Sequence, residues 1–337
     1  MQYKPYAILL CSIAINSSCW ATNTSHDLNG PSHSATQQVP ATTLRSIQHD
    51  IRNWKLQPAG EKLQQALTQY PQSAQLALLQ GKFCYLSEPR QFAAAINALN
   101  RAEELGLKDP ELYFYRASAK SQPTEPYLMR KQPDYRGAVA DFRRAAQLNS
   151  ERDLRFNIVQ ALFEAGEYAQ ALDAANAFLK HKPSIALIAD MRMLKGNILA
   201  ELERHEEALV SYKKAKRQYG YLDKLYYFQA VSLLALNKLQ QALEIVDTGI
   251  EKGRHHLREL HYIRGVILYQ QAKYHAAFDE FSQAWQYQTK WALPLLGCYN
   301  SLIQAEQKLD PTRFLDQALA LDPMVVIHFH QQDLLKL

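Results

Sequence analysis

Along most of this chain an alanine is followed four residues later by a large side chain and three beyond that by another small residue, and the triplet returns at nearly fixed intervals. Ala138, Phe142 and Ala145 form one copy, Ala208, Tyr212 and Ala215 a second, Ala277, Phe281 and Ala284 a third. Looser copies stand at Ala59, Leu63, Ala66; at Ala95, Leu99, Ala102; at Ala171, Ala175, Phe178; at Ala242, Val246, Gly249; and at Pro311, Leu315, Ala318. Successive copies are separated by 36, 43, 33, 37, 34, 35 and 34 residues. Offsets of four and seven put three side chains on one stripe of a helix, where the small ones admit a neighbouring helix and the large one fills the space beyond. Twelve residues before four of the triplets stands another small or apolar residue, Val159, Gly196, Ala230 and Gly265. Each unit therefore supplies two helices that pack as a hairpin. Turn signals such as Gly166-Glu167-Tyr168 fall between the two, and Pro71, Pro110, Pro183 and Pro323 fall where a unit must close. A repeat of this length predicts a stack of helical hairpins.

A stack removes the size limit that 337 residues would otherwise meet, because an array grows end to end without enlarging any one core. Composition agrees: 47% hydrophobic and 21% charged residues describe a well-folded soluble chain, while 12 Gly and 14 Pro are too few for the turns of an all-β fold. The first residues lie outside the pattern. Lys4, the apolar run Ala7 to Ile15, and Ala21 after Cys19-Trp20 read as a signal peptide over residues 1–21, so the mature chain is expected to be exported, periplasmic or secreted. The run falls short of the ~20 residues that span a bilayer, and Asn16, three before Cys19, does not fit a lipoprotein signal. Residues 22–40, rich in Ser, Thr, Asn and Gln, read as a flexible leader. Cleavage removes one positive charge from a net +5 and leaves two cysteines, Cys84 and Cys298, which an array would hold too far apart for a disulfide. Both are expected to behave as small buried apolar residues.

From Pro40 to Pro323 these residues resemble the tetratricopeptide repeat family, whose 34-residue unit joins a Leu-Gly-x-x-Tyr segment to Ala, an aromatic and a closing Pro. The likeness is strongest from Gly265 to Ala284, with Tyr274 as the aromatic before the Ala, and good from Gly196 to Ala215. It implies an all-α fold: a right-handed superhelical α-solenoid of about eight tetratricopeptide-like hairpins over residues 41–323, with degenerate first and last units as caps. The 43-residue step marks an insertion at 121–134 that brings in Pro123, Pro126 and Pro133. It is expected to project as a surface loop with Tyr127, Leu128 and Met129 at its tip, since loops accept such additions at little cost. Residues 324–337 form a tail: Met324 to Ile327 favours a strand, whereas a helical cap over the last unit fits the architecture.

The chain carries no motif of a catalytic centre. It has no Gly-rich phosphate loop, no Gly-x-Ser-x-Gly elbow and no His-Glu-x-x-His helix, so neither an enzyme nor a cofactor is expected. The acid pairs Glu103-Glu104, Glu206-Glu207 and Asp279-Glu280 lie on second helices and read as solubilising charges. His255, His256 and His261 are spaced by one, five and six residues, which does not gather metal ligands on one helix face. His328 and His330 would share a face only on a strand. The run Lys213-Lys214-Ala215-Lys216-Arg217 reads as a solvated helix face, and nucleic acid is not expected as a partner.

The resemblance also implies that first helices line a concave groove and second helices form the convex side. The column that faces the groove in this family falls here on Leu78, Phe114, Phe156, Met193, Tyr227 and Tyr262. The next column reads Lys82, Ser118, Gln160, Asn197, Val231 and Val266, without the basic, Asn-rich pattern of family members that clamp a C-terminal carboxylate. Asn157 and Asn197 are candidates for hydrogen bonds to a peptide backbone. Such an apolar surface suits an amphipathic helix or an apolar extended segment. Two fates are open to the column: contact with a partner, or packing within the array. The function this supports is a non-catalytic, exported scaffold or adaptor in envelope or secretion assembly. A structural spacer or oligomerisation element, and a metal-dependent factor using the C-terminal histidines, are the alternatives.

Overall fold

Helices of 10–17 residues alternate with short turns along the chain in the computed structural model, which describes residues 38–122, 133–149, 153–181, 185–219, 224–252, 256–305, 310–323 and 325. Among the described residues they pair into eight hairpins: α1 (Ala41–Arg52) with α2 (Leu56–Gln69), α3 (Ala74–Leu86) with α4 (Phe92–Glu104), α5 (Pro110–Lys120) with α6 (Tyr135–Leu148), α7 (Arg155–Glu164) with α8 (Tyr168–Lys180), α9 (Ile185–Glu201) with α10 (His205–Tyr219), α11 (Lys224–Ala235) with α12 (Leu239–Lys252), α13 (Leu257–Gln270) with α14 (Tyr274–Tyr287), and α15 (Ala292–Gln304) with α16 (Thr312–Leu321). Every helix packs on the next in sequence, and first helices also pack on first helices of the adjoining hairpins. The described residues belong to one compact unit, Gln38–Leu337, and the contacts make it an α-solenoid. The signal segment, residues 22–37 of the leader, the loop tip at Tyr127 to Met129, Pro183, His255, His328 and His330 lie outside the described residues, as does the tail except Val325.

Two kinds of helix follow from two kinds of surroundings. A second helix touches its own partner and the next first helix and meets water on its outer face, so one apolar stripe suffices, as in α14 with Ala277, Phe281 and Ala284 buried. A first helix is enclosed by second helices before and after it and by first helices alongside. It is accordingly apolar around much more of its circumference, as in α3, where Leu76, Ala77, Leu78 and Leu79 are all buried. In every triplet from Ala59 to Ala318 the described alanines are buried, and Phe142, Tyr212 and Phe281 fill the core with at most 4% of their surface exposed. Each large side chain so buried contributes roughly 1.5–3 kcal/mol. Pro311 departs from its triplet by serving as the N-cap of α16, and Pro110 opens α5 at its first turn, where a missing N–H costs nothing.

The small-residue positions are small because the helices of a hairpin nearly touch. A methyl group on Gly196 would stand 2.2 Å from Tyr212 Cε1, and one on Gly265 2.8 Å from Phe281 Cδ1. At Gly249 the obstacle is Tyr226 Cβ, 2.8 Å away on the first helix of the same hairpin, and Leu260 Cδ1 of the next hairpin at 3.0 Å. Hairpin turns repeat as well. Trp54, Glu203, Asn237 and Ala272 hold φ of 56°, 60°, 54° and 58°, and Gly166 holds 76°. In each case the following N–H donates to the carbonyl five residues back, as from Arg204 to Leu199 at 2.8 Å and from Lys273 to Leu268 at 2.9 Å. This is the left-handed closure that ends helices cleanly, used here mostly without glycine.

Charge also holds hairpins together. Arg116 on α5 is buried and grips Asp141 on α6 through Nε at 2.9 Å and Nη2 at 2.7 Å, while its Nη1 donates to Asn100 and Glu103 on α4. Burial opposes the Arg116 charge, but Asp141 and Glu103 outweigh it and raise its pKa. Tyr113 donates to the other Glu103 oxygen at 2.9 Å. Glu280 likewise takes His261 Nδ1 at 2.7 Å and lies 3.6 Å from Arg264. The reading of these acids as mere solubilising charges is corrected: one member of each of two pairs ties its second helix to first helices, which its sequence neighbours do not reveal. Cys84 and Cys298 are buried free thiols on α3 and α15, and burial lifts both to a pKa of about 11. Among the described residues no helix is long and apolar enough to cross a membrane.

One junction differs. Among the described residues, first helices contact across every boundary between hairpins except that of α5 and α7, which are linked through α6. The inserted residues 121–134 lie inside that same hairpin, between α5 and α6.

The contact at Gly196 gives a direct test: Gly196→Ala should lower stability by about 1–3 kcal/mol, the usual cost of forcing atoms into a packed seam. Thermal melts read by helical circular dichroism measure it, and Gly106→Ala, where an added methyl meets nothing within 4 Å, isolates the effect of backbone angle from that of crowding.

Candidate functional site

The residues singled out for the groove sit on consecutive first helices: Leu78 on α3, Phe114 on α5, Phe156 and Asn157 on α7, Met193 and Asn197 on α9, Tyr227 on α11 and Tyr262 on α13. On α7 the remaining face is occupied, since Val159, Ala161, Leu162 and Phe163 are buried. Phe156, Gln160 and Glu164 keep the open stripe. Phe114, Phe156, Met193 and Tyr227 are half-buried and rest against the core. Phe114 packs on Phe142 of its own hairpin with ring centres 6.1 Å apart, and Tyr227 on Phe228 at 5.4 Å.

The two ends of the column lie deeper. Leu78 is 7% exposed and Tyr262 only 3%, because Tyr262 is wedged between Phe281, 5.6 Å away, and Trp291, 4.9 Å away. Leu78 and Tyr262 thus belong to the packing, while the four between them reach the surface. The Tyr262 hydroxyl is buried with no hydrogen-bond partner, and burial followed by its neighbour Tyr227 pushes its pKa up. Tyr227 is raised to about 12, by burial first and by the charge of Glu259 second.

Beside the column the polar positions are partly engaged. Lys82 donates to Glu111 Oε2 at 2.8 Å, joining α3 to α5, and lies 5.3 Å from the Tyr115 ring centre. Ser118 returns its hydroxyl to the Phe114 carbonyl at 2.9 Å. Asn197 accepts from the Tyr212 hydroxyl at 2.9 Å through Oδ1, so its side-chain oxygen supports the hairpin seam. Val266 is buried and Gln160 exposed. Asn157 is half-buried, one residue round the helix from Phe156.

Sequence reading missed a set of acids on the same stripe. Glu164 and Glu201 come four residues after Gln160 and Asn197, and Asp190 comes three before Met193, while Asp153 precedes the start of α7. Carrying each column one further turn along its helix in both directions is the signal that finds them. The Glu164 carboxyl is raised by burial and then by the charge of Glu201. At the other end of the array, His256 Nδ1 lies 3.8 Å from Glu259 and His261 is spent on Glu280. Among the described residues no group of three or more His, Cys, Asp or Glu is placed to hold a metal ion. Lys213 and Lys214, between the seam residues Tyr212 and Ala215, are exposed.

Stacked antiparallel hairpins with a small residue facing a large one in each seam define a helical-repeat solenoid. The tetratricopeptide repeat family profile matches residues 130–184 and 156–222, so the chain carries tetratricopeptide repeats over that stretch. A tetratricopeptide repeat protein from Parabacteroides merdae is similar in structure with a TM-score of 0.56 at 14% identity, covering 82% of this chain and 98% of its own. The apo form of the quorum sensor NprR from B. thuringiensis is similar with a TM-score of 0.56 at 16% identity, covering 83% of this chain and 86% of its own. Such identities speak to the fold. No curated protein matches the sequence.

The unpartnered hydroxyl separates packing from polarity at Tyr262. Tyr262→Phe is expected to leave the melting temperature unchanged or higher, since an unsatisfied buried hydroxyl adds nothing to stability. Tyr262→Ala should cost about 3–5 kcal/mol. Paired thermal melts of the two variants check both.

Proposed function

We propose that this protein is an exported, non-catalytic adaptor that holds a peptide or helix of a protein partner against the open face of its first helices. The observation that carries the reading is the half-exposed column Phe114, Phe156, Met193 and Tyr227, repeated on four consecutive first helices. Large apolar side chains left partly open on successive first helices offer the kind of apolar surface that partner recognition uses. Tetratricopeptide arrays serve protein interaction, which fits a chain whose sequence carries no catalytic motif. Assembly of envelope or secretion components is the setting suggested by the signal-like residues 1–21.

Phe114→Glu, Phe156→Glu and Tyr227→Glu combined should abolish capture of partners from the envelope fraction of the source cells while the helical signal persists. An unchanged capture profile from a folded triple variant would count decisively against this surface. Export has its own measurement: a tagged chain should appear shortened outside the cytoplasm, and deletion of residues 1–21 should retain it inside. A full-length cytoplasmic chain in the parent would refute export.

A further inference from the structure

Between α11 and α13 the first-helix face holds polar atoms that nothing in the protein answers. Glu259 and Tyr262 stand three residues apart on α13 and share one face, and α11, which carries Tyr227, packs alongside. Glu259 Oε2 and the hydroxyl of Tyr262, itself 3% exposed, are buried without a hydrogen-bond partner. The Tyr227 hydroxyl makes no hydrogen bond among the described residues. The three groups are neighbours: burial raises both phenols first, and then the charge of Glu259 acts on Tyr227 and that of Tyr227 on Tyr262. Unpaired buried oxygens are costly. Two of them beside a third free oxygen mark a place where donors are missing.

Glu259 is already half engaged. Its Oε1 accepts from Arg258 Nε at 2.6 Å, and Arg258 is held in turn by Gln288 through Nη1. His256 Nδ1 is 3.8 Å from Oε2, beyond hydrogen-bond reach. Burial opposes the Glu259 charge, but His256 and Arg258 outweigh it and hold the carboxyl below its usual range, so at pH 7 the group is ionised with one oxygen open. The surroundings are aromatic: the Trp291 ring centre lies 4.9 Å from that of Tyr262, with the rings inclined at 49°. Tyr227, Glu259 and Trp291 are half-buried, so the cluster is bordered by side chains that reach the surface. A cation suits such walls, being attracted to ring faces. One open carboxylate oxygen does not match the two-pronged fork of a guanidinium. An ammonium group carries three donors on one nitrogen, and three oxygens are free to accept them here.

We propose that the face between α11 and α13 is a subsite for the ammonium group of a partner's lysine side chain, with Glu259 Oε2 and the hydroxyls of Tyr227 and Tyr262 accepting its donors and Trp291 beside them. Rotation of the Tyr227 ring, which no hydrogen bond restrains, opens the way in. The apolar lysine stem lies toward Val231, half-buried one turn along α11. The ring of Tyr262 thus belongs to the packing of the array and its hydroxyl to the subsite. This inference rests on the assignment of the first-helix face as the binding surface and adds the chemistry of one side chain that binds there.

The probe is n-butylammonium, the lysine side chain alone, titrated at constant ionic strength into the purified full chain labelled at its tryptophan indole nitrogens for NMR. The Trp291 signal, assigned by its loss in Trp291→Phe, is expected to shift saturably with a half-point of roughly 1–10 mM, while that of Trp54 in the first hairpin stays in place. Butylguanidinium should bind at least about fivefold more weakly, and n-butanol should leave Trp291 unshifted. Glu259→Gln and Tyr262→Phe are each expected to weaken n-butylammonium by about fivefold or more. Absence of a saturable shift, the result for oxygens that hold only water, overturns the subsite. So does an unchanged half-point in a folded Glu259→Gln variant, or an equal shift with n-butanol. A guanidinium that binds as tightly as the ammonium overturns the lysine assignment. Should Glu259→Gln lack the parent's helical signal, Tyr262→Phe is read in its place, and an unchanged half-point there overturns the proposal. The groove reading fails separately: capture that persists in the Phe114→Glu, Phe156→Glu, Tyr227→Glu variant overturns both, whereas capture lost there with no ammonium binding overturns the subsite alone.

Discussion

Everything in this array depends on how closely the two helices of a hairpin approach. At Gly196 and Gly265 the backbone of the first helix lies against the ring of Tyr212 or Phe281, with no room for a methyl group. That approach determines the repeat. A large side chain on the second helix needs a small one on the first, sixteen residues earlier for Tyr212 and Phe281, and the alanines on either side of it seat the neighbouring helix. Dispersion and burial are spent at one seam per hairpin, so the units resemble one another even where their surfaces do not. The turns belong to the same scheme, because a left-handed residue and a bond reaching back five positions fix the angle at which the second helix returns.

With the seams closed, a strip of the described first helices is left partly open, and the proposed binding chemistry lies there. Phe114, Phe156, Met193 and Tyr227 are packed against the core on one side and partly exposed on the other. Side chains already packed on one side lose less entropy when a partner covers them. The charges divide into two groups. Those on Arg116, Asp141, Glu103 and Glu280 are consumed in joining helices, whereas Glu164 and Asp190 on the open strip have no such bond among the described residues.

Much of the fold was legible because its rule is periodic. Triplets such as Ala138, Phe142 and Ala145 announce a helix stripe, the 34-residue return announces a stack, and both depend on neighbours close in sequence or one period away. The ion pairs escaped for the opposite reason. Glu103 stands next to Glu104 in the chain, yet its partners Tyr113 and Arg116 are on another helix, and no pattern of local charge points to them. Nor does the column alone disclose depth: Tyr227 and Tyr262 occupy equivalent positions, but Trp291 at the start of α15 packs on the second and leaves it buried, while the first is only partly buried. The acids beside the column were hidden in a simpler way, since they become visible only when a column is followed along its helix as well as across the array.

The boundary at α5 and α7 is where this regular scheme is relaxed. Elsewhere two layers of helix connect each hairpin to the next, and here the layer of first helices is interrupted and α6 makes the connection among the described residues. A beam joined at one flange is stiff against stretching but yields to bending about that flange. Phe114 and Phe156 stand on opposite sides of this joint, so bending about it would change the spacing between those two side chains, whereas bending at a doubly connected boundary works against two layers of helix at once.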